Sequence, residues 1–210
     1  MQLYTAIIFM WSFPQGALSH SILTTETLND IFHQFLHNDT IFTPFKYIRP
    51  VPAETPLHIT DKNDIRCNRA GANGQSTNVL TITAGDTVGF KPTFWIHHPG
   101  AYAAYLSAVP PGKIISNYAG DGDWFKIWDI CYDLSMWHCI WASQRGGAEF
   151  YPSCAHVEVL NAGWKSTGLS PGPTARFPEA HEAEAHGSWC SIYGTLMTRK
   201  MPGPQVWDGR

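Results

Sequence analysis

The sequence predicts an all-β fold, an antiparallel sandwich, and three observations carry that expectation. Short β-type runs alternate with turn signals along most of the chain. Glycine and proline are frequent and scattered, 18 and 15 in 210 residues. Long helical periods are scarce, so many short strands joined by Gly/Pro-rich turns favour two packed sheets over α/β layering.

The elements follow in chain order. Residues 1–19 hold the apolar run "LYTAIIFMW", a Pro-Gln-Gly break and then Ala17-Leu18-Ser19. Small residues at −3 and −1 match a signal-peptidase site, so 1–19 is expected to be a cleaved leader and 20–210 one secreted domain. The run is too short to span a bilayer as a mature helix. The other reading of this stretch is a buried N-terminal strand. "TETLNDIFHQFL" (25–36) is the best helical candidate, with Leu28, Ile31, Phe32, Phe35 and Leu36 on one face.

"NVLTITAGDTVGF" reads as strand, Ala-Gly-Asp turn, strand, with Val79, Thr81 and Thr83 opposite Leu80 and Ile82 in the pleat. "WFKIWDI", "AEFYPSCAHVEVL" and "WCSIYGTLM" are further strands. The turn-rich stretch 163–187 is expected to wrap the outside.

Net charge is −3, so there is no basic footprint for nucleic acid and no polybasic membrane patch. Later segments fall short of the ~20 apolar residues that a membrane span needs. Five cysteines, Cys67, Cys131, Cys139, Cys154 and Cys190, make disulfides the expectation in an exported chain, and the odd number leaves one over. Asn38-Asp39-Thr40 is the one N-x-S/T sequon and a glycan site.

Several motifs are decoys. In "HEAEAH", His181 and His186 are five apart, about 140° around a helix at ~100° per residue, and cannot share a metal as an i, i+4 pair does. A nucleophile elbow, a phosphate loop and a dinucleotide fingerprint are all lacking.

The chemistry points to the mature N-terminus. Cleavage after Ser19 makes His20 the first residue, with a free α-amine and an imidazole that chelate one metal. A second imidazole completes three nitrogens in a T, a set that selects Cu(II) over tetrahedral Zn(II). "FWIHHPGAY" offers His97 and His98 before a Pro-Gly turn. In "GGAEFYPSC", a strand places Glu149 and Tyr151 on one face and Phe150 on the other. Tyr151 can then stand axial to the metal, with the Glu149 carboxylate beside an open position. His, Glu and Tyr are also common at sandwich edges, and spacing alone leaves that reading open.

An ordered series of stretches now accumulates: His20, "YIRP" (47–50), "DIRCN" (64–68), "AGDTVGF" (84–90), "HHPGAYAAYLSAVPPG" (97–112), "GDWFKI" (122–127), "GGAEFYPSCAHVEV" (146–159) and "PGPQVW" (202–207). With this series the chain resembles the fungal lytic polysaccharide monooxygenases of auxiliary activity family nine, formerly glycoside hydrolase family sixty-one. The resemblance implies an immunoglobulin-like or fibronectin-like antiparallel β-sandwich with long loops. It implies one copper ion per chain, held by the amine and ring of His20 and by the ring of His98, with Tyr151 axial and Glu149 beside it. It pairs Cys67 with Cys154. Cellulose or another β-glucan surface is the implied substrate, oxidised at C1 and/or C4. An external electron donor and oxygen or hydrogen peroxide complete the partners of a secreted monomer.

Three departures accompany the likeness. Glu149 stands where most relatives carry glutamine. Only eighteen residues separate Ile127 from Gly146, which leaves strands missing in the 128–145 region and His138 as the sole candidate for a histidine that relatives place there. "TRKM" puts Arg199 and Lys200 where relatives display a surface tyrosine. The short middle segment and the Arg-Lys pair favour a second reading, a copper- or polysaccharide-binding family member that does not turn over.

Overall fold

The computed structural model describes residues 2–12, 32–51, 56–58, 61–69, 74–92, 100–132, 149–160, 171–181, 201 and 203–208. Among the described residues ten strands run in chain order: β1 (Gln2–Ser12), β2 (Phe32–His37), β3 (Thr40–Ile41), β4 (Leu80–Thr83), β5 (Val88–Pro92), β6 (Gly100–Ala108), β7 (Trp124–Tyr132), β8 (Glu149–Phe150), β9 (Ser153–Leu160) and β10 (Thr174–Ala175). A four-residue helix, α1 (Asp64–Cys67), sits between β3 and β4.

The strands form two sheets. The larger has the order β10-β7-β6-β1-β9-β4 with β8 alongside β1, and the smaller has the order β3-β2-β5. Pairing is antiparallel except between β4 and β9, where Leu80 to Thr83 lies parallel to Val157 to Leu160. The predicted sandwich is thus observed, with one parallel edge.

Its core lies where Phe35 of the small sheet meets Leu80, Phe125, Ala155 and Val157 of the large one. Phe35 and Phe90 of β5 meet edge to face at 5.0 Å. The alternation read in "NVLTIT" holds, for Leu80 is buried while Val79, Thr81 and Thr83 are exposed. Residues 80–83 and 88–92 are strands around the Ala-Gly-Asp turn, but they part company: β4 joins the large sheet and β5 the small one.

The helix expected over 25–36 is corrected in its described part. Phe32–His37 is a strand, paired with β5 and turning into β3. Asn38 (φ 44°) and Asp39 (φ 67°) are both left-handed, as a two-residue type I′ hairpin demands. Phe32, Phe35 and Leu36 follow a helical stripe rather than a strand's alternation, so the spacing misleads. The hairpin turn and the packing of Phe35 decide between them.

Residues 2–12, which the sequence assigns to a leader, form a central strand of the full chain. Tyr4 to Ser12 pairs with Ala108 to Gly100, and Gln2 to Ile8 pairs with Val159 to Ser153. Of the region expected to lack strands, 128–132 completes β7; 133–145 lies outside the described residues, as does "WCSIYGTLM".

The far face of the large sheet is also covered. Trp124 and Tyr105 point away from the Phe125 core and receive Phe177, which meets their rings at 5.8 and 5.1 Å. The 171–181 stretch does wrap the outside, held by β10 on β7 and by that buried phenylalanine. A bulge between Ala104 and Tyr105 leaves Ile127 unopposed. It brings Lys126 and Asp129 to one face, 2.9 Å apart. Burial pushes the Lys126 ammonium below its ordinary pKa, and Asp129 counters it.

Candidate active site

One end of the large sheet gathers the described parts of the candidate site. Gly100 opens β6 two residues after His98. It pairs with Tyr132 on one side and Ser12 on the other, and Ser12 pairs in turn with Glu149. The stretch following His98 and the stretch carrying Glu149 and Tyr151 therefore end together, two strand positions apart. His20, His97, His98 and His138 lie outside the described residues. For Glu149 the strand is described and the side chain is not.

The expected Glu-Phe-Tyr alternation is only half a strand. β8 stops at Phe150, and Tyr151-Pro152 is a two-residue link outside the strands, leading into β9. Tyr151 is nonetheless buried, 5% exposed. The backbone around it is pinned on both sides. Phe150 N–H donates to Leu57 O at 2.9 Å, and Leu57 N–H donates to Phe150 O at 3.0 Å. Beyond the link, Cys154 is bonded to Cys67 as expected, and its carbonyl accepts from Arg49 N–H at 2.8 Å.

The helix α1 supplies the third restraint. It ends at Asn68, whose backbone (φ 70°, ψ 173°) occupies a region that is essentially glycine's. Asn68 is 1% exposed. Its amide donates to Pro152 O at 3.2 Å, and its side-chain oxygen accepts from Arg69 N–H at 2.7 Å. Arg69 in turn donates to Pro56 O at 2.9 Å, beside Leu57.

Arg49 of "YIRP" and Asn68 of "DIRCN" hold positions in the fold that their sequence context does not announce. Arg49 is fully buried: its Nε donates to His156 Nε2 at 2.7 Å and its Nη2 to Ile115 O and Tyr118 O at 3.0 and 2.8 Å. As His156 Nε2 accepts, Nδ1 carries the proton and faces Thr77 O at 3.4 Å. Gly74 closes over the pair, since a Cβ there would stand 2.5 Å from the imidazole. Burial, with the Arg49 charge adding to it, holds His156 down to about 4; burial also lowers Arg49 to about 10. No local pattern announces such a pair, because its partners lie more than a hundred residues apart.

Asn38 sits exposed at the hairpin tip, its oxygen accepting from Thr87 N–H at 3.2 Å. Neighbouring His37 meets Asp86 at 2.7 Å. The bond from Thr83 N–H, and then that of His37, hold the Asp86 carboxyl below its usual range. His181 closes a short 3₁₀ turn, Glu179–His181, and His186 is outside the described residues. Among the described residues no three His, Cys, Asp or Glu side chains meet. The ligand set expected for copper draws instead on His20 and His98. The donor chemistry fits, with a buried phenol held at the sheet end where the strand following His98 begins.

Comparison with known proteins decides the family. Residues 20–145 match Auxiliary Activity family 9 (formerly GH61). The chain belongs to this family. A relative from Aspergillus tamarii, named AA9 family lytic polysaccharide monooxygenase D, is 32% identical over 80% of the chain and 71% of its own length. The C enzyme of Emericella nidulans is 29% identical, with coverages of 90% and 96%.

Among solved structures, a cellulose-active polysaccharide monooxygenase from M. thermophila superposes with a TM-score of 0.65 at 17% identity, covering 84% of this chain and 98% of that one. The β-sandwich is therefore that of the Auxiliary Activity family 9 enzymes, a family of oxidative polysaccharide monooxygenases. The family match opens at His20, eight residues after the end of β1.

Proposed function

We propose that the chain is a secreted copper-dependent lytic polysaccharide monooxygenase that cleaves cellulose or a related β-glucan at C1 and/or C4. The observation that carries this reading is the family match beginning at His20, the residue that the expected cleavage after Ser19 would place first.

On this reading His20 would supply an amine and a ring nitrogen, His98 a second ring nitrogen, and Tyr151 a phenol beside them. Bound copper supplies one-electron chemistry with oxygen or hydrogen peroxide, after reduction by an external donor. The chain's own work is to hold three nitrogens, shield one side with the buried Tyr151 ring, and leave a position open to the substrate. Glu149 accepts a hydrogen bond when ionised and donates one when protonated, so activity with Glu149 depends on pH more steeply than with glutamine. The flat exposed face that the family resemblance implies would suit a packed glucan surface, which a cleft would exclude. Asn38 is the glycan site, exposed and remote in sequence from His98 and Tyr151.

The test is incubation of the protein, with His20 verified as its first residue, with cellulose and a reductant. Oxidised oligosaccharides support the proposal; copper binding without oxidised product leaves only a binding protein. That second reading draws on one observation. Removing residues 1–19 also removes β1, which pairs on both sides within the large sheet.

A further inference from the structure

We infer that the buried contact between Arg49 and His156 is an acid-sensitive latch. With His156 neutral it holds the 74–77 and 113–117 stretches down beside β9; protonation of His156 releases both while the two sheets stay folded. The latch needs no metal and stands apart from the function proposed above.

Both members are anchored by their backbones at one place. His156 N–H donates to Tyr47 O at 2.9 Å and Arg49 N–H to Cys154 O at 2.8 Å, so 47–49 forms a short bridge beside β9. From that frame the side chains reach to two covering stretches. Arg49 Nη2 donates to Ile115 O and Tyr118 O, and His156 Nδ1 faces Thr77 O. The covers are also tied to each other, since Gly74 N–H donates to Ser116 O at 2.9 Å. Their apolar hold is small: Ile115 and Tyr118 pack with Val109 in a cluster apart from the main core. Tyr118 is bound separately, its hydroxyl meeting Ser107 Oγ at 2.6 Å and Gly122 N–H at 3.0 Å, and serves as the hinge.

Neutral His156 accepts the Arg49 Nε–H at 2.7 Å. An added proton goes to that same nitrogen, because Nδ1 already carries one. Two N–H donors on two cations then face each other away from water, and the bond becomes a repulsion. Neither side chain can retreat under a closed cover. Both are fully buried, and a Cβ on Gly74 would stand 2.5 Å from the imidazole. The strand cannot give way either, as β9 pairs with β1 on one side and β4 on the other. Lifting the covers relieves the repulsion and lets water reach the imidazolium.

Among the described residues no carboxylate offsets the new charge. The 74–77 stretch brings Thr77 O, β1 sets Thr5 opposite His156, and β4 begins with Leu80. Lys46, beside the 47–49 bridge, lies over the rings of Phe42 and Tyr47. On the 113–117 side Lys113 pairs with Asp121 in the open at 3.4 Å. Glu158, two residues along β9, turns to Thr81 Oγ1 at 3.0 Å. Burial and then Arg49 hold the closed His156 to about 4, whereas an opened one titrates near its ordinary ~6.5. Opening therefore grows more favourable as the pH falls from 6 to 4.

Amide exchange of the full 1–210 chain at pH 6 and pH 4, read as protection factors, tests the latch. The Gly74 amide, whose acceptor is Ser116 O, should lose protection by about tenfold or more. At pH 4 it should also stand about tenfold or more below the amides of 155–159 in β9. His156→Gln still accepts from Arg49 but takes up no proton, so the loss at Gly74 disappears. Unchanged protection at Gly74 in the unsubstituted chain overturns the latch. So does a fall to the same level as β9, which is global unfolding, or an equal loss in His156→Gln, which puts the titrating group elsewhere. Should His156→Gln not fold, the ring resonances of His156 in the unsubstituted chain decide: their titration must coincide with the loss at Gly74, and a mismatch overturns the latch.

Discussion

His156 is a buried base kept neutral by its surroundings, and the pH dependence follows from that. Its folded pKa is about 4, against ~6.5 in the unfolded chain. Between those values the unfolded state binds the extra proton, so stability falls as the pH drops from about 6.5 to about 4 and levels off below. The full difference is worth roughly 3 kcal/mol. Denaturant midpoints at pH 7, 5.5 and 4 check it. His156→Gln, whose amide oxygen can still accept from Arg49, flattens the curve over that window. An unaltered pH dependence in the variant contradicts the assignment.

Asn68 offers a second contrast at this scale. Alanine there loses the side-chain bonds and keeps the strain, whereas glycine loses the bonds and relieves it. Asn68→Ala should unfold at lower denaturant than Asn68→Gly, by roughly 1–2 kcal/mol. Equal midpoints would show that the backbone is not strained.

At the scale of elements, the hairpin at Asn38-Asp39 and the Cys67–Cys154 link carry the clearest expectations. Both turn residues have positive φ, and Asn-Gly suits a type I′ turn better than Asn-Asp. Asp39→Gly therefore raises stability on the order of 0.5 kcal/mol while keeping the sequon, as thermal melts of the two proteins would show. The disulfide closes 87 residues, and in the chain-entropy model its loss costs about 4–5 kcal/mol. Cys67→Ser with Cys154→Ser should bring unfolding to much lower denaturant.

The strands at 80–83, 88–92, 124–132 and 153–160 were legible because alternation, β-branched residues and flanking turns agreed. Residues 32–37 were not, since Phe32, Phe35 and Leu36 follow the helical i, i+3, i+4 spacing and only the turn that follows argues for a strand. The disulfide was legible from motif order rather than spacing. Asn68 and the Arg49–His156 pair were not, because their partners are set by the tertiary fold. A buried cation and a strained φ leave no periodic trace in sequence.

For the whole molecule, the proposed cleavage after Ser19 and the integrity of the sheet are coupled. In the full chain β1 separates β6 from β9, and its loss would open both edges. Tyr132 and Glu149 end at the same side of the sheet, since Gly100 faces Tyr132 and Ser12 faces Glu149. A replacement drawn from between them must run up the sheet and return antiparallel to β6. The intervening 133–148 stretch is sixteen residues, too few for two strands as long as Tyr4–Ser12 plus a turn.

A protein of residues 20–210, lacking β1, should accordingly melt below the full chain, with faster amide exchange in 100–108 and 153–160. Equal protection in both would mean that another segment fills the position.

The proposed chemistry requires the release of His20 even so, because only a free terminus offers an amine beside its own imidazole. Native mass spectrometry of the secreted protein, equilibrated with one equivalent of Cu(II), reads both conditions at once. The account predicts a polypeptide whose first residue is His20, carrying a single copper ion that survives buffer exchange. A product that retains residues 2–12, or one that starts at His20 and holds no copper, would contradict it.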